Sequence, residues 1–119
     1  GGASWSEPVR VNDDETATDQ FFTWMAVDDV TGFVHIVFYD RSANATSSGL
    51  ETEVVVATSK DGGESWHNQV VSSSPFTPGQ AGFFGDYNNI SAHAGVVRPI
   101  WTREDSGVLS IWTALMPFN

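Results

Sequence analysis

Apolar residues in this chain fall in short runs of β-branched and aromatic side chains, bounded by Gly, Pro, Asn, Asp and Ser. No window of a dozen residues keeps apolar groups at the i, i+3, i+4, i+7 spacing of an amphipathic helix. The pattern predicts an all-β chain of eight strands: Pro8 to Asn12, Phe22 to Val27, Phe33 to Tyr39, Thr52 to Ser59, His67 to Ser72, Asn88 to His93, Val96 to Thr102 and Val108 to Ala114. Phe33 to Tyr39 and Val54 to Ala57 are apolar at nearly every position, as expected of strands covered on both faces where sheets stack on sheets. Pro99 falls inside a predicted strand and has no N–H for a ladder, so an edge or a bulge is expected there.

The strands repeat. Gly2-Ala3-Ser4-Trp5 matches Gly63-Glu64-Ser65-Trp66 at an offset of 61, Phe21-Phe22 matches Phe83-Phe84 at 62, and Thr31-Gly32-Phe33-Val34 matches Ala94-Gly95-Val96-Val97 at 63. Downstream, Val37-Phe38 pairs with Ile100-Trp101, and Val54 to Ala57 with Ile111 to Ala114 after a shorter loop. The predicted strands thus divide into two units of four. Four-stranded antiparallel units repeated at this length are the signature of β-propeller blades, found in rings of ~4–8. Two blades do not close a ring.

Length and composition narrow the picture. At 119 residues, and roughly 100–200 residues per domain, the chain is one domain or a piece of one. With 40% hydrophobic and 17% charged residues it has the composition of a folded chain. A formal net charge of −10, with Lys60 the only lysine, argues against a nucleic-acid or anionic-membrane surface. Without cysteine there is no disulfide, thiolate metal site or Cys nucleophile. The longest apolar runs fall far short of the ~18 residues that cross a bilayer as a helix. The Gly1-Gly2 start, without methionine or leader, reads as an end trimmed by processing, proteolysis or design.

One motif is specific. Ser59-Lys60-Asp61-Gly62-Gly63-Glu64-Ser65-Trp66 fits Ser/Thr-x-Asp-x-Gly-x-Ser/Thr-Trp, an Asp-box. In such a turn Asp61 accepts backbone amides, Gly63 supplies a positive φ and Trp66 packs back as a plug, with Ser59 and Ser65 as the flanking hydroxyls. Gly1 to Trp5 reads as the second half of another box. Together with Asp19 to Asp28, Val37 to Arg41 and Phe83 to Tyr87, these residues resemble the sialidase-like superfamily of six-bladed propellers, or BNR-repeat proteins, over essentially the whole chain. The resemblance is to the last two blades of secreted bacterial members assigned as exo-sialidases or glycosyl hydrolases. It implies a single propeller segment over 1–119: an orphan outer strand in 1–12, a first blade at about 20–73 and an incomplete second blade at about 82–119. The missing sectors would come from further blades of a parent protein or from identical chains, three of which would make six blades.

Alternating strand direction places Asp13, Asp14, Glu15, Asp19, Asp40, Arg41, Asp86, Tyr87, Arg103, Glu104 and Asp105 at one end of the sheets and Asp61 at the other. Propeller ligands bind near the axis at the first end, which nominates Gln20, Asp40, Arg41, Asp86, Tyr87 and Arg103. Sialidases resemble one another in an arginine trio for the substrate carboxylate, a tyrosine nucleophile paired with a glutamate, and an aspartate acid/base. The resemblance implies Arg41 as a trio member and Tyr87 as the nucleophile. The structural reading of the same residues has Arg41 and Asp40 satisfying each other and Tyr87 filling the ring centre. The Arg-Ile-Pro element of catalytic members is absent, and two blades are not expected to carry a whole catalytic set, so the chain alone is not expected to turn over.

Asp13, Asp14 and Asp19 offer hard oxygen ligands for Ca²⁺, with a solvated acidic loop as the alternative. Asp40, Ser42, Asn44, Thr46, Ser48 and Glu51 fall at EF-hand spacing, but Ala45 stands where glycine is needed, so this is read as coincidence. His35, His67 and His93 are too dispersed for a zinc site. Asn44-Ala45-Thr46 and Asn89-Ile90-Ser91 match the glycosylation sequon. Of the tryptophans, Trp5, Trp66, Trp101 and Trp112 are expected in turn or core packing, while Trp24 is open to sugar stacking. The expectation is an all-β propeller segment from a secreted or bacterial cell-surface protein that is glycoside hydrolase-related or glycan-binding. The alternative is a non-catalytic lectin-like or protein-interaction propeller built from two-blade chains.

Overall fold

The computed structural model describes residues 2–44 and 49–117. The chain is all-β, with two antiparallel sheets. Strands β1 (Gln20–Val27), β2 (Val34–Asp40), β3 (Glu53–Ser59) and β4 (His67–Val70) form the first sheet in chain order. Strands β5 (Asn89–His93), β6 (Val96–Asp105) and β7 (Val108–Thr113) form the second, with β8 (Met116–Pro117) also on β6. A 3₁₀ turn, Ser42–Asn44, follows β2. Among the described residues no helix is long and apolar enough to cross a membrane.

Strand periodicity explains the layering. In the first sheet Val37, Tyr39, Val54 and Val56 point to one face, and Phe38, Val55 and Ala57 to the other; both sets are buried. The first set packs against Ile90, Val97, Trp101 and Met116 of the second sheet. These are the inner faces. The outer face of the first sheet is covered only in part, by Val11 and Trp66.

Tyr39 sits at the centre of the inner layer, fully buried. Its hydroxyl donates to the Thr102 carbonyl at 2.8 Å and accepts from the Thr102 N–H at 3.1 Å, so one side chain of the first sheet completes the backbone of the second. Phe21 stacks on its ring at 5.2 Å, and Phe22, Phe76 and Phe84 meet it edge-on at 5.9, 6.1 and 5.4 Å. Both Phe21 and Phe22 reach this ring because β1 carries a bulge between Phe21 and Trp24. The extra residue is accommodated at Phe22, whose φ of 52° lies in the left-handed region.

At the end of the sheets holding the β1–β2 and β5–β6 turns, Asp28 is fully buried. Its carboxylate accepts the N–H groups of Val30 and Thr31 in its own turn at 2.9 and 3.1 Å. It also accepts Ala94 and Gly95, in the equivalent turn of the second sheet, at 3.0 and 2.7 Å. A buried carboxylate is tolerable when backbone donors replace its water.

Seven of the expected strands are present, with ends moved by a few residues. Pro8 to Asn12 is a correction: it forms no ladder, and Val11 instead lies on the outer face of the first sheet, its carbonyl accepting Asn68 Nδ2 at 2.9 Å. Pro99 is a second. It lies in the central strand β6, buried and opposite Ile90, rather than at an edge. On its other side the ladder lapses at Ala114–Leu115 and resumes at Met116–Pro117 in the same register, so the missing N–H interrupts one strand without bending the sheet.

Tyr39→Phe keeps every ring contact and removes the hydroxyl. Leaving the Thr102 N–H and C=O without it should cost about 1–3 kcal/mol, read as a lower urea midpoint with unchanged far-ultraviolet dichroism.

Candidate functional site

The Asp-box closes as its residue types require. Ser59 Oγ donates to Asp61 Oδ1 at 2.8 Å and accepts the Gly63 N–H at 2.8 Å. Asp61 accepts the Ser65 N–H at 2.9 Å and the Ser65 hydroxyl, and Trp66 Nε1 donates to the Gly63 carbonyl at 3.2 Å. Gly63 has φ +98°. Hydrogen bonds from the Ser65 hydroxyl, then from the Ser65 N–H and Ser59, bring the Asp61 pKa down to about 2. The indole packs on Phe38, Val55 and Ala57. This turn is structural and lies at the end of the sheet away from the candidate site.

At the other end, the start of β1 and the end of β2 meet in register, Gln20 opposite Asp40. Gln20 Nε2 donates to Asp40 at 3.0 Å, and its carbonyl oxygen accepts Asn12 Nδ2 at 3.2 Å. Asn12 also donates to Asp14 at 2.6 Å, and Asp40 accepts the N–H and hydroxyl of Ser42, both at 2.8 Å. The result is a row of side chains from Asp14 through Asn12, Gln20 and Asp40 to Ser42. Glu53, opposite Asp40 on β3, has its pKa raised by burial and by the Asp40 charge.

Two arginines stand at the strand ends in contrasting states. Arg41 pairs with Asp19 at 3.3 Å, not with Asp40, and lies 5.0 Å from the Phe21 ring centre. The Asp19 side chain is 76% exposed, so this pair is wet and displaceable. Arg103 is buried and held on every nitrogen: Nε and Nη2 donate to Asp105 at 2.7 and 2.8 Å, Nη1 to the Ser74 carbonyl at 2.7 Å and Nη2 to Ser74 Oγ at 2.9 Å. Its guanidinium lies against the rings of Phe76 and Trp112. Arg103 therefore fastens the loop after β4 to the second sheet. Glu104 does the same beside it, accepting Gly79 and Ala81 N–H groups at 2.7 and 2.5 Å.

Tyr87 is 78% exposed and borders a shallow groove of about 280 Å³ on the outer face of the second sheet, with Ile100 and Ile111. Among the described residues it is paired with neither Arg41 nor a glutamate, and it does not fill a core. Asp86 is exposed. Trp24 lines a hollow of about 450 Å³ on the outer face of the first sheet, with Met25, Ile36 and Phe38. Trp101 is core as expected, but Trp5, at 90% exposure, and Trp112, at 42%, are not.

The structure does not bring Asp13, Asp14 and Asp19 together as one ligand group. Asp14 is engaged by the Thr16 hydroxyl and N–H at 2.6 and 3.0 Å, as well as by Asn12, Asp19 faces Arg41, and Asp13 is exposed. The Thr16 hydroxyl, outweighing partial burial, holds the Asp14 pKa down. Among the described residues no three His, Cys, Asp or Glu side chains gather to hold a metal. Residues 45–48, in the first sequon and the EF-hand-like spacing, lie outside the described residues; Asn89 of the second sequon is exposed at the start of β5. Asp28, Tyr39 and Glu104 had no motif to announce them.

The chain matches no family model, no curated protein and no solved structure.

His35 and the hydrogen-bonded aspartates, Asp28 foremost, set the acid sensitivity. Burial lowers the His35 pKa from 6.5, with the Asp28 charge pulling partly back. For Asp28 desolvation raises the pKa, but the amides of Gly95, Thr31, Val30 and Ala94 together hold it far below 3.8. In both cases the unfolded chain takes the proton first as pH falls. Stability should be full above pH 6.5, decline below it as unfolded His35 charges, and fall further below pH 3.8 through Asp28 and Asp61. Thermal midpoints from pH 8 to 3 check this; His35→Gln should flatten the first decline and leave the second.

Proposed function

We infer that the chain is a segment of a sialidase-like β-propeller in a secreted or bacterial cell-surface protein that handles glycans, its two sheets being successive blades. The reading is supported above all by a first sheet that is apolar on both faces, stacked face to face on a second, with an Asp-box turn between its outer strands. A strand pair buried on both sides belongs inside a stack of sheets rather than at its end. The ligand end is the row Asn12, Gln20 and Asp40 beside Arg41. Arg41 is the guanidinium that can exchange an exposed carboxylate, Asp19, for the carboxylate of an acidic sugar, whereas Arg103 already commits Nε, Nη1 and Nη2 to Asp105 and Ser74.

A second reading, a non-catalytic lectin-like or protein-interaction propeller, is favoured by one observation. Tyr87 stands apart from Arg41 and from any glutamate among the described residues, which supports binding rather than turnover. Asp86 and Tyr87 would then border the ligand without reacting.

Titration with sialyllactose, followed by amide shifts, should perturb Gln20, Asp40 and Arg41. Arg41→Ala should weaken it about ten- to a hundred-fold, the weight of a hydrogen-bonded charge. No sialoside binding, or an affinity untouched by that substitution, overturns the assignment.

A further inference from the structure

The internal repeat assigns partners to the faces left open. At the offset of 63, Ile36 and Phe38 correspond to Pro99 and Trp101, and Val37 and Tyr39 to Ile100 and Thr102. Within the chain, the face bearing Val37 and Tyr39 buries the face bearing Trp101. What is left uncovered is one face of each kind. On the first sheet this is the counterpart of the Pro99–Trp101 face, where Val11 and Trp66 cover Phe38, Val55 and Ala57 only in part and Met25, at 58% exposure, borders an open hollow. The second exposes the counterpart of the Val37–Tyr39 face, with Ile100 at 46% and Ile111 at 68% exposure.

We propose that a second copy of this chain covers these faces head to tail, the outer face of one copy's second sheet packing into the hollow on the first sheet of the next, with three copies closing a ring. The proposal rests on the propeller reading above but not on its glycan site.

Three further features fit this occupant. Among the described residues β7 is an unpaired six-residue edge of the second sheet, whereas its counterpart β3 is paired with β4. Pro8 to Asn12 makes no ladder, yet Val11 within it already lies on the outer face of the first sheet. Seating the next copy's second sheet on that face brings its free β7 edge to this segment, so each satisfies the other. Beside the groove on the second sheet, both amide atoms of Asn88 are buried without a hydrogen-bond partner. Such atoms cost stability unless a neighbour supplies the bonds. Within the chain that service is performed for Thr102 by Tyr39 from across the sheet interface.

The faces are opposite and unlike, so the contact is heterologous and propagates instead of stopping at a symmetric pair. β1 and β7 carry no charged residue, but each copy carries −10 overall, so association should strengthen as salt screens the repulsion.

Native mass spectrometry and light scattering at micromolar concentration should give a species of three times 12.9 kDa. Met25→Lys blocks one face and Ile111→Lys the other; both sites are more than half exposed, so the fold should survive, as dichroism will verify. Each variant alone should lose association by about tenfold or more, the weight of a central anchor. Mixed one to one, they retain one intact interface and should form a heterodimer and nothing larger. In the wild-type assembly, amide exchange at 8–12 and 108–113 should slow relative to either variant. A wild-type monomer, variants that keep the wild-type mass, or a mixture that stays monomeric overturns the proposal. Sialoside binding by such a monomer would leave the glycan reading standing.

Discussion

The structure hangs on the contact between Tyr39 and the backbone of Thr102. A phenol buried between two sheets must find both a donor and an acceptor, and the one place offering both is a residue whose ladder on that side has run out. That requirement fixes how far the sheets slide past each other. The Phe21, Phe22, Phe76 and Phe84 rings then pack around a point already set. The left-handed Phe22 is part of the same arrangement, since without the bulge one of the two β1 rings would face away from the layer.

Surroundings, not residue type, separate the two arginines. Both follow or end the second strand of their sheet. Arg103 is enclosed because the chain after β4 returns across it, presenting the Ser74 carbonyl and hydroxyl on one side and the Phe76 ring on the other. Among the described residues Arg41 is covered by Phe21 and Thr52, and its acidic neighbour faces water. The candidate site is thus the strand end whose arginine is paired with an exposed carboxylate.

What the sequence made legible was local. Strand positions follow from two-residue periodicity, and the Asp-box from eight consecutive residues whose bonds all close within the turn. Asp28 was opaque because half its donors lie 66 and 67 residues away. The roles of Arg103 and Glu104 were opaque for the same reason, being set by a loop without periodicity. Pro8 to Asn12 has the composition of a strand, but a ladder needs a neighbour that composition does not supply. Trp5 and Trp112 were misplaced because an aromatic at a turn or strand position is buried only if something lies opposite it.

The Asp28 carboxylate bears on how the molecule assembles itself. With only the first sheet formed, that carboxylate would hold two of its four amides and keep water where the other two belong. The second turn replaces that water with its own N–H groups on arrival. One carboxylate thereby couples the two sheets, at the kinetic cost of waiting for segments far apart along the chain to meet.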